Sequence, residues 1–182
     1  MIDILDMEKL IKESVQITVR EALIVLEKEK EKSAKLKRDR RLRNTALLLR
    51  NYINLKEHFN NAIYTNSQIE DEDPIEILME CDSFEEDLYI NSIKRTHTRT
   101  KIIVNHIETI LGFYKYRAFK SKDESAERRY EVIELLYMEG KTYEEVAEEL
   151  GYSEKTISRD RKRAIEELSV LLFGIDGLKL EV

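Results

Sequence analysis

The sequence predicts an all-α protein, with a helical N-terminal region followed by a C-terminal helix-turn-helix domain. Three observations carry that expectation. Only 5 glycines and 1 proline occur in 182 residues, which is little turn chemistry for the many connections of a β-protein. Apolar residues, 42% of the chain, recur at spacings of three and four, the period of a helix face. The single proline, Pro74, leaves helices elsewhere free to run long.

From the N-terminus, Met7, Ile11, Val15, Val19, Ala22 and Leu26 lie along one face of a first helix. From Glu27 a Glu-Lys alternation takes over, the pattern of a solvated helix. A second apolar stripe follows at Leu48, Tyr52, Leu55, Phe59 and Ala62 with Ile63. The two stripes suit helices that pack on each other or on a second copy of the chain, so a homo-oligomer formed through the N-terminal helices is expected. These elements make up an N-terminal helical region, residues 1–65.

Residues 66–83 read as an acidic linker, since residues 66–90 hold ten acidic side chains and none basic. Within it, Asp73 and Pro74 supply an N-cap followed by proline at the first helical position. Ser83 and Glu86 match a capping box, which starts a connector helix, residues 84–119, near Phe84. One face of it carries Ile103, Ile107, Ile110, Leu111 and Tyr114. The polar run AFKSKDES opens the C-terminal domain, residues 120–182, where a helix over residues 128–138 presents Val132, Ile133, Leu135 and Leu136 before stopping at Gly140.

The next stretch, TYEEVAEELGYSEKTISRDRKRAI (142–165), carries the functional reading. Thr142 and Glu145 form a capping box, the helix ends at Leu150 before Gly151, and Ser153 caps the next one. Helix, three-residue turn, helix is the geometry of a helix-turn-helix. Ala147 is small where two crossing helices approach, Gly151 sits where the turn needs positive φ, and Val146, Leu150 and Ile157 form the wedge between them. On the second helix, Ile157, Ala164, Leu168 and Leu171 share one arc while Lys155, Arg159 and Lys162 lie opposite.

That basic stripe is where a recognition helix meets the major groove of double-stranded DNA. Lys155, Arg159 and Lys162 are the expected base contacts, joined by Thr156, Ser158 and, as an acceptor from cytosine, Glu154. Phosphate contacts are expected from Lys141, Thr142, Tyr143, Ser153, Arg161 and Arg163. The first helix of the motif, with Glu144, Glu145, Glu148 and Glu149, faces solvent or a protein partner.

The formal net charge of -6 does not exclude DNA, because screening acts over ~8 Å and a phosphate feels its local patch. Residues 28–43 carry nine basic and three acidic side chains. They either track DNA phosphates beside the motif or form a soluble helical surface. The lone Cys81 allows no intramolecular disulfide and no cysteine-based zinc site, and the carboxylates around it disfavour a reactive thiolate. His58, His97 and His106 are far apart, and Asp71, Glu72 and Asp73 lack the spacing of a calcium loop. No enzyme activity, cofactor or metal is expected. No apolar run reaches the ~20 residues of a membrane span and MIDILDMEKL is too acidic for a signal peptide, so a cytoplasmic protein with no membrane partner is expected.

The stretch KTYEEVAEELGYSEKTISRDRKRAIEEL resembles the C-terminal, promoter-reading helix-turn-helix domain of bacterial sigma factors, closing with Ala164, Ile165 and Leu168. The segments LRNTALLLRNYINLKEHFNNAI, SIKRTHTRTKIIVNHI and AIEELSVLLFG resemble the phage-encoded, sigma-like late transcriptional regulators of the ArpU and RinA type. The resemblance implies a transcriptional activator of phage late genes that binds promoter DNA and engages the RNA polymerase of a bacterial host. Two departures stand out. Asp160 occupies a position where sigma factors keep an apolar residue, so the last helix is open to a different rotation or packing. The aromatic-rich segment with which full sigma factors melt a promoter is absent, which favours an activator over a complete sigma activity. A small terminase subunit, the phage DNA-packaging adaptor, is the alternative, since it also joins a helix-turn-helix to helices that assemble rings.

Overall fold

The computed structural model describes residues 4–61, 73–80, 90 and 97–174, and among these every element is helical. Contacts divide the chain into two units, Met1–Asp39 and Arg40–Val182. Helix α1, Ile4–Arg50, contributes to both. No described helix is long and apolar enough to cross a membrane.

In the first unit, every side chain described, from residue 12 to residue 39, is exposed. Val15, Val19 and Leu26, three members of the first stripe, are each more than half exposed, as are Ile17, Leu23, Val25 and Leu36. The described part of the first stripe is therefore left uncovered. The second one is already occupied, because Leu48, Tyr52 and Leu55 are buried against other helices of the second unit. Ala62 and Ile63 lie outside the described residues.

The second unit holds the end of α1, α2 (Tyr52–Asn61), α3 (Pro74–Glu80), α4 (His97–Ser121), α5 (Glu124–Ile133) with a π-helical turn (Glu134–Met138), α6 (Tyr143–Leu150) and α7 (Glu154–Phe173). Helix α3 starts as its sequence requires: Asp73 accepts the Ile75 N–H at 2.7 Å, and Pro74 takes the first helical position, where no N–H is needed. Most of the acidic linker, Cys81 and the Ser83–Glu86 box lie outside the described residues.

Helix α4 was expected to be a connector and proves to be a core element. Its Ile103, Val104 and Ile107 pack with Leu48, Tyr52, Leu55, Ile77, Leu78, Leu172 and Phe173. Farther along, Tyr114 and Ala118 join Leu49, Tyr130, Ile133, Ala164, Ile165 and Leu168. The polar run AFKSKDES suggests an earlier end, yet Ala118 is 4% exposed and the helix continues through Ser121. Lys122 then turns the chain at φ +53° and Asp123 caps α5 by accepting the Ser125 N–H.

Polar contacts tie the same helices together. Tyr52 donates to Glu108 at 2.8 Å, and Lys56 pairs with the same carboxylate at 2.8 Å. Glu167 accepts from the Tyr114 hydroxyl at 2.8 Å and faces Arg129 at 3.2 Å, joining α4, α5 and α7. Burial, then the Glu167 carboxylate, pushes the Tyr114 hydroxyl well above its ordinary value, so it remains a donor.

Candidate nucleic-acid interface

The site is built on a third core, in which Val132, Leu135, Val146 and Ile157 are buried and Leu136, Tyr143, Ala147 and Leu150 pack around them. It brings α5, α6 and α7 together. Val146, Leu150 and Ile157 form the wedge read from the sequence, with Ala147 at the helix crossing.

Each helix boundary follows from a named cap. The Glu145 N–H donates to the Thr142 hydroxyl at 3.3 Å, and the Thr142 N–H donates to the Glu145 carboxylate at 2.8 Å. These bonds, the backbone one foremost, hold the Glu145 carboxyl below its ordinary range. Gly151 has φ +71°, and the Tyr152 N–H returns to the Ala147 carbonyl at 3.0 Å, which ends α6 as a left-handed cap. A Cβ on Gly151 would meet nothing within 4 Å, so glycine is required there for its backbone and not for space. Ser153 then accepts the Thr156 N–H at 3.3 Å and starts α7.

On α7, Ile157, Ala164 and Leu168 are fully buried while Lys155, Arg159 and Lys162 are exposed, as the helical period requires. Arg159 is 59% exposed, with its Nε 3.8 Å from the Asp160 carboxylate. Glu154, Ser158 and Arg163 are exposed as well. Thr156 is half-buried, with its hydroxyl 3.0 Å from that of Ser153, so it braces the cap. Tyr143 is half-buried in the third core.

The remaining phosphate candidates are held by neighbours. Lys141 lies 2.9 Å from Glu139 and 2.6 Å from Glu149, which push its ammonium up to about 12 and keep it charged. The Arg161 Nε donates to the Tyr137 hydroxyl at 2.5 Å with its guanidinium 5.7 Å from the ring centre. Tyr137 belongs to the π-helical turn that precedes Gly140, itself at φ +74°.

The sequence marks Asp160 as a departure but gives no sign of Arg128 or Tyr152 beside it. Arg128 on α5 meets the Asp160 carboxylate at 2.6 Å and stacks over the Tyr152 ring at 4.4 Å. Asp160 is 1% exposed. The carboxylate in an apolar position is thus neutralised by Arg128, and α7 runs unbroken from Glu154 to Phe173. A charge standing in a buried position was the available signal. Its partner, 32 residues away, had none.

Among the described residues no group of His, Cys, Asp and Glu side chains is arranged to hold a metal ion. His106 lies 3.0 Å from the Leu172 carbonyl, a structural contact between α4 and α7.

Residues 126–169 match the family model described as sigma-70, region 4. The matched segment takes in most of α5, the π-helical turn, α6 and α7 as far as Ser169, so this part of the chain is a sequence-specific, DNA-binding helix-turn-helix domain of the sigma region 4 type. Such a domain is regulatory and not catalytic. No curated protein and no solved structure matches the chain.

Proposed function

We propose that the chain is a transcriptional regulator, an activator of phage late genes of the ArpU and RinA type, which reads promoter DNA through α7 and contacts host RNA polymerase. The observation that carries this reading is the exposed stripe of Lys155, Arg159 and Lys162 on the capped second helix of a sigma region 4 segment. Arginine and lysine suit guanine edges in the major groove. Glu154, Thr156 and Ser158 complete the base-contacting set. Lys141, Thr142, Tyr143, Ser153, Arg161 and Arg163 form the phosphate-contacting set, which fixes register without reading sequence. The exposed acidic face of α6, with Glu144, Glu148 and Glu149, is the surface assigned to polymerase.

The double substitution Lys155→Ala and Arg159→Ala tests the recognition helix. Both side chains are exposed, so helicity and melting temperature should stay as in the parent. Specific protection of the promoter in footprinting should disappear. Undiminished protection would overturn the assignment.

A packaging adaptor remains the second reading, favoured by one observation: the uncovered aliphatic side chains of residues 15–26. Val15, Val19, Ala22 and Leu26 are spaced four, three and four, which is coiled-coil spacing. A second copy of the chain is the proposed occupant of that face in either reading. Sedimentation separates them, a dimer supporting the regulator and a ring of many copies the adaptor.

A further inference from the structure

The residues of α1 that belong to the second unit are almost enclosed. Of side chains 40–50, only Arg40, Arg43 and Arg50 are exposed. Arg43 and Arg50 are seven residues apart and share one strip of the helix, about 10 Å from one another along its axis. Their neighbours Leu42 and Ala46 pack, with buried Leu49, in the cluster that contains Ala164, Ile165 and Leu168 of α7 and Tyr137 of the π-helical turn. The face next to this strip therefore packs in the same cluster as the second half of the recognition helix.

The start of α2 fixes where Arg50 emerges. The Ile53 Cδ1 sits 3.8 Å from the place a Cβ on Gly140 would take, so this junction abuts the loop that leads into Lys141, Thr142 and Tyr143. On the other side stands Tyr137, which Arg161 donates to and stacks on. Burial raises the Tyr137 hydroxyl, Arg161 opposes that most strongly, and after Tyr143 the charge of Arg50 opposes it too.

These guanidiniums lack what Lys141 has. Among the described residues neither Arg43, Arg50 nor Arg161 pairs with a carboxylate, while Lys141 is held by two. Uncompensated guanidiniums along one edge suit an extended polyanion, and arginine matches phosphate oxygens with two parallel donors.

We infer that Arg50, together with Arg161 and with Arg43 two turns back on the same helix, binds backbone phosphates flanking the groove that α7 enters, so that the end of the first helix is part of the DNA-binding surface. The inference rests on the DNA-reading assignment of α7. It adds a contact outside the sigma region 4 segment, and it is sequence-independent.

The test is a set of equilibrium titrations of the full chain between 50 and 200 mM salt. The probes are a duplex selected by the parent protein from a random-sequence pool and a scrambled duplex of equal length. Each phosphate contact removed should lower the slope of log affinity against log salt by ~0.9. Arg50→Ala should therefore flatten it by about one unit and Arg43→Ala with Arg50→Ala by about two, with equal weakening on both duplexes. Arg50→Lys should keep the parent slope, since an ammonium still neutralises a phosphate. An unchanged slope in the alanine variants, a loss confined to the selected duplex, or a lysine variant that behaves like alanine would each overturn the inference while leaving the role of α7 standing. A parent protein that selects no duplex would overturn both.

Discussion

Asp160 illustrates how one residue can be flagged by sequence and explained only by packing. The resemblance to sigma factors marks its position as apolar, and the side chain is indeed 1% exposed. The charge is tolerated because the Arg128 Nε lies 2.6 Å away and its guanidinium is sandwiched toward Tyr152 in the turn. Such a pair contributes little net stability over an apolar pair, yet removing one member leaves an uncompensated buried charge. Asp160→Ala should therefore cost about 3–5 kcal/mol in urea unfolding. The pair Arg128→Met and Asp160→Leu should recover most of that loss. A single variant within about 1 kcal/mol of the parent would show that the site relaxes without the carboxylate. Tyr137 was equally illegible, since its partner Arg161 is 24 residues away and no local spacing encodes the contact.

At the scale of the helix, the boundaries were the most legible feature, because caps are local chemistry. Thr142 with Glu145, Gly151 and Ser153 each perform the role their residue types imply. Gly151→Ala should destabilise by about 1–2 kcal/mol through the left-handed backbone alone, as no atom obstructs the new methyl group. Chemical denaturation measures it. The cap also predicts a pH response. Glu145, bonded to Thr142, and Glu108, bonded to Lys56, have native carboxyl pKa values below the ordinary 4.5. Their contribution is fully present above 4.5 and is lost as pH falls through the native values. Melting temperature should be flat from neutral pH down to about 5 with respect to these groups and fall below that. Glu145→Gln, which can still cap, should remove part of the fall while leaving stability at pH 7 nearly unchanged. Packing partners were less legible than boundaries. The apolar stripe of α4 was visible, but one stripe of Ile103, Ile107, Ile110, Leu111 and Tyr114 is compatible with a connector and with the central helix it became. The π-helical turn at Glu134–Met138 leaves the apolar pattern of Val132, Ile133 and Leu135 unbroken, so spacing gave no sign of it.

For the whole molecule, the all-α class followed from composition and period, and the region that reads DNA followed from one capped motif, while the division of contacts at Asp39 and Arg40 did not, because α1 continues through it without a breaker. The exposed aliphatic face of residues 15–26 makes self-association the expected state of the full chain. Val19→Glu with Leu26→Glu should shift sedimentation to the monomer, and an unchanged distribution would place the contact elsewhere. The two motif helices have a further consequence for kinetics. Glutamates are exposed on α6 and basic side chains on α7, so the two motif helices present opposite charge to solvent. On the proposed reading of α7 as the DNA-contacting helix, this polarity is expected to orient an approaching duplex toward α7. The glutamates then shorten the rotational search. Their replacement by glutamine should slow productive association at low salt more than it changes the lifetime of the bound complex.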